Sequence, residues 1–216
     1  KEVHREDRSN ARVSSLMFDY TSANNIFMSK INGDVLKSAD EGASWTVITR
    51  LKKRVDTLKA DKNSTNTLYL SSHRNGLFRS DDNGATWNQF DEGLKEYPGG
   101  TKYRKYFVHS ETADRLYWIS TYGILVSSDK GETWEPYKLI TSPGSADLYG
   151  FSYNPSNDKE MYYAATLSGR STFYKTSDGG QTWSTKKLPS GQIPTVLRVH
   201  PENEDLVYVG FSIPPQ

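Results

Sequence analysis

Four aspartates recur in one setting along this 216-residue chain. Asp40, Asp82, Asp129 and Asp178 stand 42, 47 and 49 residues apart. Each has a Ser or Thr two residues before it, a Gly two residues after it and a Trp five residues after it. A carboxylate beside a hydroxyl can do general acid–base work, hold a cation or tie a backbone turn. A calcium loop needs more oxygen ligands than one copy offers. The turn chemistry fits every position. The Asp and the leading hydroxyl can accept backbone N–H groups, and the Gly supplies a left-handed backbone position without steric cost. The Trp then offers a large ring to the apolar layer between sheets.

The copies are SADEGASW (38–45), SDDNGATW (80–87), SSDKGETW (127–134) and TSDGGQTW (176–183). Their fixed positions are Ser38, Asp40, Gly42 and Trp45; Ser80, Asp82, Gly84 and Trp87; Ser127, Asp129, Gly131 and Trp134; and Thr176, Asp178, Gly180 and Trp183. Four of the five tryptophans close a copy. A period of this length marks a repeat architecture.

Each motif ends a pattern of strands. An alternating segment leads (12–20, 54–61, 103–110, 147–154), followed by a turn and a second strand (25–30, 67–72, 115–121, 160–166). A tight turn leads to a third strand (34–38, 76–80, 123–127, 172–176), and a short polar strand follows each Trp. Period-2 alternation predicts strands, and no segment holds a 3.6-residue apolar period. Four-stranded units at this spacing predict an all-β propeller. The expected division is a polar tail or edge strand over 1–11, then blades over 12–50, 51–94, 95–141 and 142–189. A partial fifth blade covers 190–216. It supplies two strands and stops, so the ring needs further blades or a partner to hide its edges. The segment 205–211 is expected to carry one unpaired apolar edge and the first blade the other.

Composition narrows the function classes. Twenty-seven basic and 26 acidic residues give a net charge of +1, which does not suggest a nucleic-acid surface. There is no Cys, hence no disulfide framework or thiolate metal site. No apolar run is long enough to span a membrane. His4, His73, His109 and His200 are scattered, and His109 and His200 recur at the ends of first strands, which favours a turn role over metal binding. RLKKR (50–54) reads as a solvated loop, and Asn63 in NST is a glycosylation acceptor only in a secreted eukaryotic chain. No metal and no cofactor are expected.

The motif resembles the Asp-box, or BNR repeat, of sialidases, xyloglucan-cleaving glycoside hydrolases, sortilin-type receptors and photosystem assembly factors. The resemblance covers nearly the whole chain. It implies that the box is a structural turn on the blade periphery, away from any binding site, and so no catalytic residue is assigned. A sialidase would show Arg-Ile-Pro, whereas the Ile-Pro strings at 193–195 and 213–215 lack the Arg. The string GLFRSDDNGATW followed by DEGL (76–94) is similar in rhythm to the xyloglucanase-like enzymes, but their first-blade Asp-Ile-Gly-Gly does not occur. The expected function is a non-catalytic recognition or scaffold module of an extracellular, periplasmic or envelope protein. It would bind a protein partner or a carbohydrate, neither nucleic acid nor the membrane interior. The alternative is a fragment of a glycoside hydrolase acting on a polysaccharide. The rim opposite the boxes is the expected contact surface, with Lys30, Asp34, His73, Arg74, Tyr97, Tyr103, Tyr122 and Arg170. Its acidic residues are Asp34, Asp91 and Glu92, with Glu96 nearby.

Overall fold

The computed structural model describes residues 11–20, 22, 24–72, 74–200 and 203–212. His4, His73, the proposed edge strand in 1–10 and the Ile-Pro string at 213–215 lie outside them. The first sheet holds β1 (Val13–Phe18), β2 (Ile26–Lys30), β3 (Asp34–Ser38) and β4 (Thr46–Arg50). The second holds β5 (Val55–Ala60), β6 (Leu68–Ser72), β7 (Gly76–Ser80) and β8 (Asn88–Phe90). One short helix, α1 (Glu92–Lys95), follows, in a sequence without a sustained 3.6-residue apolar period. The third sheet is β9 (Tyr103–Val108), β10 (Leu116–Ser120), β11 (Ile124–Ser127) and β12 (Glu135–Pro136). The fourth is β13 (Asp147–Asn154), β14 (Asn157–Leu167), β15 (Arg170–Thr176) and β16 (Ser184–Lys187). A hairpin of β17 (Ile193–His200) and β18 (Asn203–Ser212) completes the described chain.

Every pairing is antiparallel between sequence neighbours, so each sheet is a meander. The second strands are the most buried. β2, β6 and β10 are buried along their full lengths. They read as apolar runs with small residues because both faces meet other sheets. The core lies between sheets. One cluster joins Tyr69 and Leu77 of the second sheet to Tyr106, Trp118 and Trp134 of the third. The next joins Tyr117 and Ile119 to Phe151, Met161 and Tyr163 of the fourth. The Tyr106 hydroxyl donates to the Tyr69 carbonyl at 2.7 Å, so these buried rings also satisfy polar groups across the sheet boundary.

All five first strands share a feature that alternation did not disclose. Each carries one extra residue against its partner: Ser14, Asp56, Arg104, Tyr149 and Thr195. Such a bulge bends the strand and re-aims the side chain beside it. Adjacent bulges meet, because the Arg104 guanidinium lies 3.9 Å from the centre of the Tyr149 ring.

The two ends of the array remain apolar. On β1, Val13, Leu16 and Phe18 are exposed, Phe18 to 62%, and Tyr20 follows at 64%. On the final hairpin, Val196, Leu206 and Tyr208 are exposed. Between β18 and the outer part of the fourth sheet lies a cavity of about 480 Å³ bordered by Phe173, Leu188, Val207 and Phe211. A third strand after β18 would cover it. Unpaired strand edges with exposed apolar side chains promote association. Residues 1–216 in isolation should therefore self-associate in light scattering at high concentration. Leu16→Lys together with Tyr208→Lys should shift them towards monomer. Residues 1–216 found as a monomer with one cooperative melt would contradict this.

Candidate functional site

The four repeated turns are superimposable in their hydrogen bonds. The Ser38 hydroxyl donates to Asp40 Oδ1 at 2.7 Å and accepts the Gly42 N–H at 2.8 Å. The Ser44 N–H and hydroxyl donate to Asp40 Oδ1 and Oδ2 at 2.8 and 2.6 Å. The same bonds join Ser80, Asp82, Gly84 and Thr86. They recur among Ser127, Asp129, Gly131 and Thr133, and among Thr176, Asp178, Gly180 and Thr182. Each carboxylate thus spends both oxygens on its own turn. The Ser44 hydroxyl and the other bonds hold the Asp40 carboxyl down to about 2, and those of Thr182 hold Asp178 equally low. Asp82 and Asp129 are lowered as well, Asp129 against the opposing effect of burial.

The glycine has two reasons to be there. The chain turns left-handed at Asn83 (φ 57°) and again at Gly84 (φ 88°). A Cβ at Gly84 would also stand 2.7 Å from Ile48 Cδ1 of the preceding sheet. At Gly131 the clash would be with Leu77 Cδ2, also at 2.7 Å. The turns therefore lie against the previous repeat, and further bonds cross that boundary. The Thr49 hydroxyl donates to the Ala85 carbonyl at 3.2 Å, and Arg79 donates to the Lys130 carbonyl at 3.2 Å.

The tryptophans depart from the sequence reading. Trp134 alone is buried, at 4% exposure, while Trp45, Trp87 and Trp183 are half-buried. Trp134 packs with Trp118, the tryptophan outside the motif, at 6.1 Å between ring centres. Trp87 and Trp183 pack, partly buried, against the clusters of their own sheets.

The rim residues divide. Lys30 is buried, at 4% exposure, because it ends a second strand enclosed by neighbours. Tyr97, Tyr103 and Tyr122 pack on the aromatic core of the third sheet. The Tyr97 hydroxyl donates to the Trp134 carbonyl at 2.7 Å, and the Tyr97 ring lies 5.0 Å from that of Tyr122. Tyr103 shares a 3.0 Å bond with the Thr57 hydroxyl. Asp34 accepts from Asn32 at 3.1 Å and faces Arg50 at 3.6 Å. Arg74 and Arg170 are exposed. Among the described rim residues, Tyr97, Tyr103 and Tyr122 come together on one core cluster. His109 is buried in a turn, where its Nδ1 accepts the N–H groups of Glu111 and Thr112 at 3.2 and 2.9 Å.

Two further concavities lie along the first strands. One of about 470 Å³ is bordered by β1, β5 and the end of β9. A second of about 390 Å³ is bordered by Phe107, β13 and β17. Lys59 borders both. Its Nζ donates to the Tyr106 carbonyl at 2.7 Å and lies 4.7 Å from the centre of the Phe107 ring. Burial, then the nearby Arg198 and Lys105, lower its pKa to about 8. Sequence reasoning missed this place because a single Lys in an alternating strand carries no motif.

No known family profile matches the sequence, and no curated protein is significantly similar to it. Solved structures are. An ancestral GH74 enzyme matches with a TM-score of 0.71 at 16% identity, over 89% of this chain and 28% of that one. The GH74 enzyme of Niastella koreensis gives 0.70 at 17%, over 91% and 35%. YCF48 from Cyanidioschyzon merolae gives 0.66 at 15%, over 96% and 68%. The chain thus spans about a third of the two enzymes' length. At these identities the likeness is one of fold, a related all-β architecture of four-stranded units.

If the repeated turns act on stability, Asp82→Ala should lower the unfolding free energy by roughly 1 kcal/mol, on the scale of a lost cap. Trp134→Ala should cost about 3–5 kcal/mol and half-buried Trp87→Ala clearly less. Chemical denaturation of the three variants checks this order. Equal costs for the two tryptophans would contradict the burial argument.

Proposed function

We propose that this chain is part of a β-propeller with Asp-box turns, serving as a non-catalytic recognition or scaffold module. Its blades cover 12–50, 51–94, 95–141 and 142–189, with part of another over 190–216. The four motif copies are structural turns at the blade periphery. The module belongs to an extracellular, periplasmic or envelope protein. It binds a protein partner or a carbohydrate, and further blades or a partner complete the ring. Among the described residues no helix is long and apolar enough to cross a membrane.

The observation that carries this reading is the state of the carboxylates. Glycoside hydrolysis needs two carboxyl groups facing one cleft about 5–10 Å apart. The four motif aspartates are bound within their own turns. On the opposite rim, Asp91 and Glu92 both meet Lys95, at 3.0 and 2.7 Å, and Asp34 faces Arg50. Each of these acids is tied to a cation from its own neighbourhood. The similarity to GH74 enzymes favours the second reading, a fragment of a glycoside hydrolase. The similarity to YCF48 means that the fold does not choose between them, because one fold carries unrelated functions.

Incubation with xyloglucan oligosaccharides and with sialosides should release no product above background. Turnover by the parent chain that is abolished in Asp34→Asn would overturn the proposal and promote the hydrolase reading.

A further inference from the structure

Three cations from three different repeats come near one another beside the second of these concavities, here called the inner cavity, and two of them, Lys59 and Arg198, line it. Lys59 lies on β5, Lys105 on β9 and Arg198 on β17. Lys59 and Arg198 both approach the Phe107 ring, at 4.7 and 5.6 Å from its centre. Each of the three donates to a backbone carbonyl: Lys59 to Tyr106, Lys105 to Thr195, and Arg198 to Leu197. The Thr195 carbonyl belongs to a bulge residue, so the bulge in β17 is what brings Lys105 across. The acids of the neighbouring first strands are committed elsewhere. Asp56 faces Arg54 at 3.0 Å and Asp147 faces Arg104 at 2.8 Å. Carbonyl oxygens leave the net positive charge in place. Like charges gathered in a partly desolvated site repel one another, and an anion relieves both that repulsion and the lost hydration.

We infer that the cavity bounded by Lys59, Phe107, Ser152, Tyr153, Asn154 and Arg198 binds an oxyanion, a carboxylate or phosphate group carried by a small ligand. Arg198, exposed at the mouth, presents a planar fork suited to two oxygens. Lys59 supplies the charge at the back. Ser152 offers a hydroxyl to the remaining oxygens, Asn154 gives its amide to Glu160 at 3.0 Å, and the Phe107 and Tyr153 rings wall the site. At about 390 Å³ the cavity has the size of a small-molecule pocket. This deepens the recognition reading and rests on it. The two fail separately, since one is tested by turnover and the other by equilibrium binding.

The test is titration calorimetry of the full chain with inorganic phosphate and, in parallel, with glucuronate, at constant ionic strength set by chloride. Saturable one-to-one binding of either probe is expected, and the probe that binds tells phosphate from carboxylate. Lys59→Met and Arg198→Gln should each weaken it at least tenfold, while Lys62→Gln, a surface control, leaves it unchanged. Lys59→Met should melt no lower than the parent, because it removes a buried charge and keeps the volume. Absence of saturable binding of both probes would overturn the inference. So would equal binding by the parent and both variants, or a Lys59→Met variant that melts lower and binds normally.

Discussion

The Ser/Thr hydroxyl bound to the Asp carboxylate in each repeated turn fixes more of this molecule than any other contact. It closes two consecutive left-handed residues that an open chain would not hold. In each of the four-stranded sheets the pairing of the third and fourth strands then opens on the same positions. Lys37 faces Thr46, Arg79 faces Asn88, Val126 faces Glu135 and Lys175 faces Ser184, always the residue before the motif against the residue after it. With that register set, the Gly lets the turn press on the preceding repeat, and the Trp covers the seam. Sheets spaced in this way bring their first strands side by side. The bulges and cations of the inner cavity are consequences of that spacing.

The architecture was legible because the motif is local. Hydroxyl, Asp, Gly and Trp act within eight residues, so their spacing survives in a single sequence. Strand order was legible from alternation and turn residues for the same reason. What could not be read depended on contacts between repeats. Lys30 ends a strand like those that end at Ser72 and Ser120, and only the neighbouring sheet decides that it is enclosed. Tyr97, Tyr103 and Tyr122 look like loop aromatics until the third sheet supplies a core for them. The five bulges leave no mark in period-2 patterning, because one inserted residue resembles a slip in the alternation. Lys59, Lys105 and Arg198 are separated by 46 and 93 residues and meet only once the sheets are stacked.

The proposed anion site lies in a different part of the molecule from the motif that announces the repeat. The motif carboxylates are the most conspicuous acids in the chain, and their oxygens are filled by their own turns. The inner cavity has no motif, yet it combines burial, charge and aromatic walls in one place. In a repeat scaffold the recurring residues hold the frame, and irregular positions are free to vary.

The central claim is that each motif carboxylate is held ionised by its turn and supports the fold in that state. Carboxyl-carbon NMR titration of Asp40, Asp82, Asp129 and Asp178, followed alongside the melting temperature, tests it most directly. A carboxyl whose pKa is depressed in the fold stabilises it above the ordinary value near 4 and loses that contribution as the pH falls through its folded value. Asp40 and Asp178 should therefore titrate near 2, with stability falling between about pH 4 and pH 2. Four carboxyls that titrate near 4 with no linked change in melting temperature would contradict the account.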